Sequence, residues 1–268
     1  MLAVCGPALG EGFVTSACWR GVQTFMSFLK KMFDTTAVLP VLSTVLPFVR
    51  RSMSPELQVR LDLARFGQML HSQGFVAATE GNLSVRLDSH RVMITPTGFS
   101  KGMMHPEDMV IVDCEGRKLE GETKPSSEIG MHLTIYRMRP DVGAVVHAHP
   151  CTATGFASAG IALDKPLCSE IVMTLGSVPL APYATTGSPQ LSEVLKPFIP
   201  DYNAILMANH GVVTYGADLS QAYLRMEAVE HFAKIVLTAR QLGAATPLDQ
   251  REVERLTALR LSYMRDAR

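Results

Sequence analysis

The stretch "LSVRLDSHRVMIT", residues 83–95, contains two short segments that each resemble a β-strand. Residues 83–87 and 91–95 carry Val, Ile and Leu, and a short polar turn separates them. Strands joined by so short a turn run antiparallel, because a parallel pair needs a long crossover connection. Residues 109–121 repeat the pattern around a turn at Cys114–Gly116. The sequence therefore predicts a mostly antiparallel sheet, which argues against a doubly wound parallel fold.

Helical segments surround these strands. The first begins at Ser54, a residue type suited to the N-cap, followed by Pro55 at the first helical position, and it ends near Gly74. The other elements predicted from the pattern are helices over 126–137, 150–158, 188–198, 218–242 and 249–265, a buried strand over 142–149, an extended piece over 177–183 and a strand pair over 204–216. Residues 53–268 are therefore predicted to form one α/β domain with a mostly antiparallel central sheet flanked by helices.

The composition fits a folded protein with a sizeable core. The chain has 268 residues, 47% of them hydrophobic and 19% charged, with a formal net charge of +0. The zero net charge gives no reason to expect nucleic acid as a partner, and the sequence has no basic stripe with aromatic residues. The five cysteines are scattered without a C-x-x-C pair. This usage indicates reduced thiols and a cytoplasmic location.

Residues 1–52 differ from the rest of the chain, since they show little clear periodicity. Their apolar stretch is interrupted by Pro40 and Pro47 and is too short for a membrane-spanning helix. The basic residues lie too far from the start for a signal peptide. We expect a flexible extension outside the fold, with no membrane role. An upstream start codon, with Met53 near the true start, would give the same pattern.

Two histidines follow a buried strand in "AVVHAHP", residues 144–150. His147 and His149 are two positions apart, so in a strand they share one face with Cα atoms about 6.6 Å apart. Imidazole is the commonest metal-ligand side chain, and Pro150 ends the strand there. The alternative is a pair of hydrogen-bonded core histidines. His210, in "LMANHGVV", follows another apolar strand and supplies the distant third ligand that catalytic metal sites commonly use.

Glu128 stands in "KPSSE", at the predicted start of a helix. A carboxylate there could bind a metal ion or act as a base, or it could simply cap the helix. Ser126 and Ser127 also have two possible roles. They could cap the helix, or they could bind a phosphate group through their hydroxyls and the free N–H groups of the helix start.

Six short motifs occur in the order found in class II aldolases of the aldolase/adducin family, which this sequence therefore resembles. The motifs are "TEGNLSVR", "MITPTG", "KPSSE", "AVVHAH", "APYATTGS" and "NHG". The resemblance covers about residues 54–265, so only the N-terminal extension lies outside it. In "LCSEIVMTLGS" the chain has Glu170 and no counterpart to one active-site tyrosine of the family.

The resemblance implies a set of site residues. It implies Zn²⁺ bound by His147, His149 and His210, with Glu128 approaching the metal as the general acid/base. The implied phosphate pocket comprises Asn82, Thr97, Gly98, Ser126 and Ser127. Known members are homotetramers with sites between subunits, which implies that Tyr263 reaches a neighbouring active site.

The implied activity is cleavage of a phosphorylated ketose, such as L-fuculose 1-phosphate, to dihydroxyacetone phosphate and an aldehyde. Breaking a C–C bond beside a ketone leaves an enediolate, whose charge a zinc ion can stabilise as a Lewis acid. Family epimerases place an aspartate at the position of Glu128, so the glutamate favours cleavage. The alternatives are an epimerase, a decarboxylase or a dehydratase acting through the same enediolate, or a non-enzymatic adducin-like interaction module.

Two further residues near these motifs are predicted to have supporting roles. His132 lies four positions after Glu128 on the same helix face, which favours packing or a partner to an active-site group over direct catalysis. Cys151 follows Pro150 and is predicted to be a small buried residue.

Overall fold

The computed structural model describes residues 54–266, with side chains described as far as residue 262. The predicted extension over residues 1–52 and the side chain of Tyr263 lie outside these limits. The strands are β1 (Asn82–Arg86), β2 (Arg91–Ile94), β3 (Val110–Asp113), β4 (Lys118–Glu120), β5 (Ala144–Ala148), β6 (Leu180–Ala181), β7 (Ala204–Met207) and β8 (Gly211–Gly216).

The helices are α1 (Pro55–Ser72), α2 (Ile129–Met138), α3 (Cys151–Ser158), α4 (Ser169–Thr174), α5 (Pro189–Leu195), α6 (Leu219–Gln241) and α7 (Gln250–Asp266). A short 3-10 helix, Pro106–Asp108, precedes β3. Among the described residues, no helix combines the length and the apolar character needed to cross a membrane.

The strands form one sheet in the order β4–β3–β2–β1–β5–β8–β7–β6. Neighbouring strands run antiparallel except for β6 and β7, which are parallel. This confirms the predicted mostly antiparallel α/β sheet. The centre of the sheet is β1, β5 and β8, and the register places Asn82 of β1 opposite His147 of β5.

Helices cover both faces of the sheet, which is why β5 is buried along its whole length. On one face, side chains of α1, α3 and α6 pack against residues such as Val146 and Leu206. On the other face, α2 and α5 pack against Val145 and Ile205. Alternate residues of one strand therefore enter two separate cores, as the two-residue period of a strand requires.

Several helix ends follow the sequence-based expectation. Ser54 caps α1 by accepting a hydrogen bond from Leu57 N, and Asp218 caps α6 by accepting one from Gln221 N at 2.7 Å. Helix α2, however, begins at Ile129, not at residue 126. Residues 126–128 instead form a turn, in which Glu128 N donates to Ser126 Oγ at 3.3 Å.

Two other details differ from the prediction. Helix α4 was not expected, because its six residues are too few to show a helical period in the sequence. Cys151 is exposed, not buried, because it is the first residue of α3.

Candidate active site

Two chain segments bring the three candidate histidines together at one end of the central strands. His147 lies within β5, His149 directly after it, and His210 in the tight connection between β7 and β8. Asn209 makes that connection possible by adopting a left-handed conformation with a φ of 56°. Gly211 leaves space for the neighbouring ring, since a Cβ there would collide with His149 and lie 2.7 Å from Ala148 O.

The three imidazoles form a compact cluster that could hold a metal ion. One nitrogen from each of His147, His149 and His210 lies within 4.8 Å of the others. The Nε2 atoms of His147 and His149 are 3.1 Å apart. His147 Nδ1 donates to Val212 O at 2.8 Å, and His149 Nδ1 lies 3.2 Å from a carboxylate oxygen of Glu80. These contacts fix the rings so that both Nε2 lone pairs point at a shared position.

The unsatisfied atoms of the cluster fit a bound cation. His210 Nδ1 and Glu128 Oε1 are both buried without a hydrogen-bond partner, although His210 Nε2 lies 3.2 Å from Glu128 Oε1. Buried polar atoms without partners are rare, and two imidazole lone pairs facing each other at short range repel. A divalent ion that accepts nitrogen and oxygen ligands would give Glu128 Oε1 a partner and relieve the repulsion between the lone pairs, so the residues present fit a metal site.

Glu128 occupies the N-cap position of α2, but its side chain makes no capping hydrogen bond. The carboxylate instead turns into the cluster, with Oε2 at 3.1 Å from His147 Nε2 and accepting from Asn82 Nδ2 at 2.8 Å. Burial opposes ionisation of this carboxyl, but the charge and hydrogen bonds of His147 and then of His210 outweigh it and hold its pKa well below the usual range. Glu128 is therefore an ionised base in contact with the cluster, not a helix cap.

A chain of buried hydrogen bonds supports Glu128 from behind. His132 Nε2 and Asn82 Oδ1 are 2.5 Å apart, and Ser84 Oγ lies 2.7 Å from His132 Nδ1 and 2.8 Å from Tyr136 Oη. Burial lowers the pKa of His132 to about 3, so the ring is neutral and has one donor and one acceptor.

The neutral His132 ring determines which atom donates and which accepts in each of these hydrogen bonds. With Nδ1 accepting from Ser84, His132 Nε2–H donates to Asn82 Oδ1. Because its oxygen accepts from His132, the Asn82 amide must present its NH₂ group to Glu128. The orientation of the Asn82 side chain is thus fixed by residues that do not touch the cluster.

The cluster opens into a cavity of about 220 Å³. Its lining includes all five residues of the predicted phosphate pocket together with Glu128, His149 and His210; the remaining lining residues are Thr79, Glu80, Gly81, Pro96 and Thr186. Gly98 has a φ of 77°, and neither Gly98 N nor Ser127 N takes part in the hydrogen bonds found among residues 54–266. Such free N–H groups beside hydroxyls suit an anion. None of the described lining residues is Lys or Arg.

The family described as class II aldolase and adducin N-terminal domain matches residues 61–237 of this sequence. The chain belongs to the class II aldolase and adducin family. A 5-deoxy-D-ribulose 1-phosphate aldolase of Bacillus thuringiensis is 35% identical over 199 residues, which span 74% of this chain and 92% of the relative. A 3-oxo-tetronate 4-phosphate decarboxylase of Haemophilus influenzae is 37% identical over 181 residues, spanning 66% of this chain and 85% of the relative.

Solved structures of the family share the fold. An L-fuculose 1-phosphate aldolase structure superimposes with a TM-score of 0.71 at 32% identity, covering 77% of this chain and 96% of the other. These comparisons confirm the family resemblance on which the sequence-based prediction depended. The named relatives catalyse different reactions, so the comparisons support family membership and leave the substrate open.

Some residues of the site were not found from the sequence. Glu80 lies inside the motif "TEGNLSVR" and Thr186 inside "APYATTGS", so their motifs could have indicated both. The hydrogen bonds of Ser84 with His132 and with Tyr136 had no sequence signal, because Ser84 lies in β1 and both of its partners lie in α2. The assigned roles of the histidines, Glu128, the phosphate residues and Tyr263 stay predictions.

Proposed function

We propose that this protein is a zinc-dependent aldolase that cleaves a phosphorylated ketose to dihydroxyacetone phosphate and an aldehyde. The observation that carries the proposal is the arrangement of one cavity. Three histidines and an ionised carboxylate cluster at this cavity, and hydroxyls with free N–H groups also line it. The aldolases among the relatives support it.

His147, His149 and His210 would hold the metal ion. When bound, the ion supplies Lewis-acid stabilisation of the negative charge that develops on an enediolate. Three neutral imidazoles add no negative charge of their own, so they leave the cation's charge available to substrate oxygens. The hydrogen bonds to Val212 O and to Glu80 keep two of the rings in the required orientation.

Glu128 moves the proton of the reaction. When the C–C bond breaks, the hydroxyl proton of the departing half leaves and the enediolate carbon gains a proton. An ionised carboxylate whose Oε2 is oriented by Asn82 can accept and return a proton at that carbon. Thr97, Ser126 and Ser127 line the same cavity and offer hydroxyl donors to the substrate phosphate.

A decarboxylase is the second candidate, because one relative with that activity is 37% identical to this chain. Loss of carbon dioxide beside a ketone leaves the same kind of enediolate, so the same residues would serve. The substrate then carries a carboxylate where the aldolase substrate carries its aldehyde half.

The deciding experiment offers the metal-loaded protein L-fuculose 1-phosphate, 5-deoxy-D-ribulose 1-phosphate and 3-oxo-tetronate 4-phosphate. Dihydroxyacetone phosphate is assayed with a coupled enzyme and carbon dioxide by isotope release, and metal content is measured by elemental analysis. Dihydroxyacetone phosphate from a ketose phosphate supports the aldolase, and carbon dioxide release supports the decarboxylase. His149→Ala protein is the control for contaminating activity. A protein that retains no metal, or that turns over none of the three substrates, contradicts the proposal.

The quaternary arrangement and location are part of the same proposal. We propose a cytoplasmic homotetramer whose sites lie between subunits. Tyr263 would reach a neighbouring site and donate a proton to the aldehyde oxygen in the condensation direction, which is the reverse of cleavage. The free thiols of Cys114, Cys151 and Cys168 support a reducing compartment. Light scattering tests the tetramer. Mixing Tyr263→Phe with Glu128→Gln subunits tests the shared site, because exchanged oligomers should regain activity; no recovery after proven exchange contradicts it.

A further inference from the structure

Lys101 is a buried cation without a carboxylate partner. Only 1% of the residue is exposed, and none of the ion pairs among the described residues includes it. Its Nζ donates to Thr79 O at 3.2 Å and to Phe99 O at 2.5 Å. Burial lowers the pKa of Lys101 to about 8, so the ammonium group is still mostly charged at neutral pH. A buried, unpaired charge is unfavourable for folding, and its retention calls for a reason.

The fold makes room for Lys101 by close packing of its loop on α1. Gly67 is in the middle of α1, where a Cβ would lie 3.0 Å from Lys101 O and 2.6 Å from the Met104 methyl group. Glycine is unfavourable inside a helix, so this close approach is gained at the expense of helix propensity. The position of the ammonium group is therefore built into the packing and is not an accident of a surface loop.

The two carbonyls that hold Lys101 belong to the two loops that line the candidate cavity. Thr79 is itself a lining residue, and Phe99 directly follows Gly98, another lining residue. The cavity wall carries the carboxylates of Glu80 and Glu128 but no Lys or Arg among its described residues. A phosphate dianion entering this cavity would meet negative groups without a cation in the wall, apart from any metal ion.

We propose that Lys101 supplies the positive charge for the phosphate group of the substrate from behind the cavity wall, and so determines specificity for phosphorylated compounds. This inference rests on the proposed function, because it takes the lining residues Thr97, Gly98, Ser126 and Ser127 as the phosphate pocket. In a low-dielectric interior the field of an ammonium group extends beyond its hydrogen bonds, because little water screens it. The charge also polarises the Thr79 and Phe99 peptide groups that it contacts. Placed there, it attracts the phosphate without forming an ion pair with Glu128.

The competing explanation is that Lys101 only ties the two loops together. The two explanations differ in what removal of the charge does. As a tether alone, a neutral residue that keeps the two hydrogen bonds should leave phosphate binding intact. As the charge of the pocket, its loss should weaken phosphate binding while it relieves the unfavourable burial of the ammonium group.

The test measures binding of inorganic phosphate to the metal-loaded, full-length protein by calorimetry at pH 7. We expect Lys101→Met to bind phosphate at least about tenfold more weakly. Lys124→Met is the matched control, because Lys124 is exposed and its carbonyl accepts from Thr97 N beside the pocket. A charge in water is screened, so this control should change the affinity less than about twofold. Equal losses in the two variants would contradict the inference.

Lys101→Gln separates charge from tethering and serves if the Met variant does not fold, since its amide has two N–H donors for the two carbonyls. It should lose phosphate affinity like Lys101→Met; full affinity shows a tether and overturns the inference. Thr97→Val distinguishes a failure of the Lys101 inference from a failure of the proposed function. Phosphate binding that is absent from the unmodified protein, or that Thr97→Val does not weaken, contradicts the phosphate pocket itself.

Discussion

Two sets of residues at the cavity place their charged groups in opposite ways. The histidine end comprises His147, His149, His210 and Glu128, and the loop end comprises Thr97, Gly98, Ser126 and Ser127. At the histidine end, Glu128, His149 and His210 line the cavity, and Glu128 contacts His147 and His210 at 3.1–3.2 Å. At the loop end, hydroxyls and N–H groups line the cavity, and the buried cation Lys101 contacts the carbonyl of the lining residue Thr79.

This difference reflects what each end has to do. A group that binds a metal ion or moves a proton must touch its target, so it has to be exposed to the cavity. A group that only attracts an anion can act at longer range through a poorly screened interior. An ammonium group inside the cavity would also pair with Glu128 and weaken it as a base. In the proposed mechanism, keeping Lys101 out of the cavity therefore protects Glu128 as a base.

Breaking the histidine end should have the largest effect. In His149→Ala protein one of three converging nitrogens is lost, so we expect loss of most of the bound metal and of nearly all activity. Elemental analysis and turnover measurements check this. Stoichiometric metal with unchanged turnover would show that the cluster is not the metal site.

Glu128→Gln tests the base without emptying the cluster. The amide keeps the shape of the side chain but cannot accept a proton, so we expect kcat to fall by roughly 10²–10⁴. Metal content should be measured in the same preparation, because retained metal assigns the loss to proton transfer. A kcat within a few-fold of the unmodified protein would remove Glu128 from the mechanism.

His132→Leu should have a smaller effect that reaches the site through Asn82. It leaves Asn82 Oδ1 without its His132 partner and the Ser84 hydroxyl with Tyr136 alone, at a stability loss of about 1–3 kcal/mol. It also frees the amide that orients Glu128, so we expect kcat to fall about tenfold with metal retained. Tyr136→Phe, which removes only the far end of the hydrogen-bond chain, is the graded control. Equal kcat values for His132→Leu and the unmodified protein would show that the chain is only structural.

The charge behind the loop end should affect stability in a pH-dependent way. Burial lowers the pKa of Lys101 from its ordinary 10.5 to about 8. Between these pH values the unfolded chain binds more protons than the folded one, so the lysine's contribution to stability improves as pH rises through the window. We expect Lys101→Met to melt at a higher temperature than the unmodified protein at pH 7, with a smaller difference at pH 10. A lower melting temperature that is independent of pH would instead indicate a tether.

Removal of residues 1–52 should have the smallest effect. This region carries none of the six family motifs, and the family match begins at residue 61. We expect a chain that begins at Met53 to fold, assemble and turn over like the full chain, as judged by light scattering and kcat. Loss of solubility or activity would show that the extension serves the folding, assembly or activity of the rest of the chain.

The sequence by itself determined the sheet, the family and the residues that meet at the histidine end. Short-range patterns carry this information, since the two-residue period of a strand marks β5 and the motifs bring His147, His149 and Glu128 to notice. Boundaries were less certain, as the start of α2 shows, because Ser126 can cap a helix or close a turn with almost the same local sequence.

Only the tertiary structure decided which residues support the site. Ser84 and His132 are 48 residues apart, and no local pattern shows that they share a hydrogen bond. Lys101 looks in the sequence like a surface residue in a polar loop, and only the packing of its loop against Gly67 reveals that it is buried. The physical reason is common to both. Burial and hydrogen-bond partners depend on segments that meet after folding, whereas strand and helix periods are set by neighbouring residues.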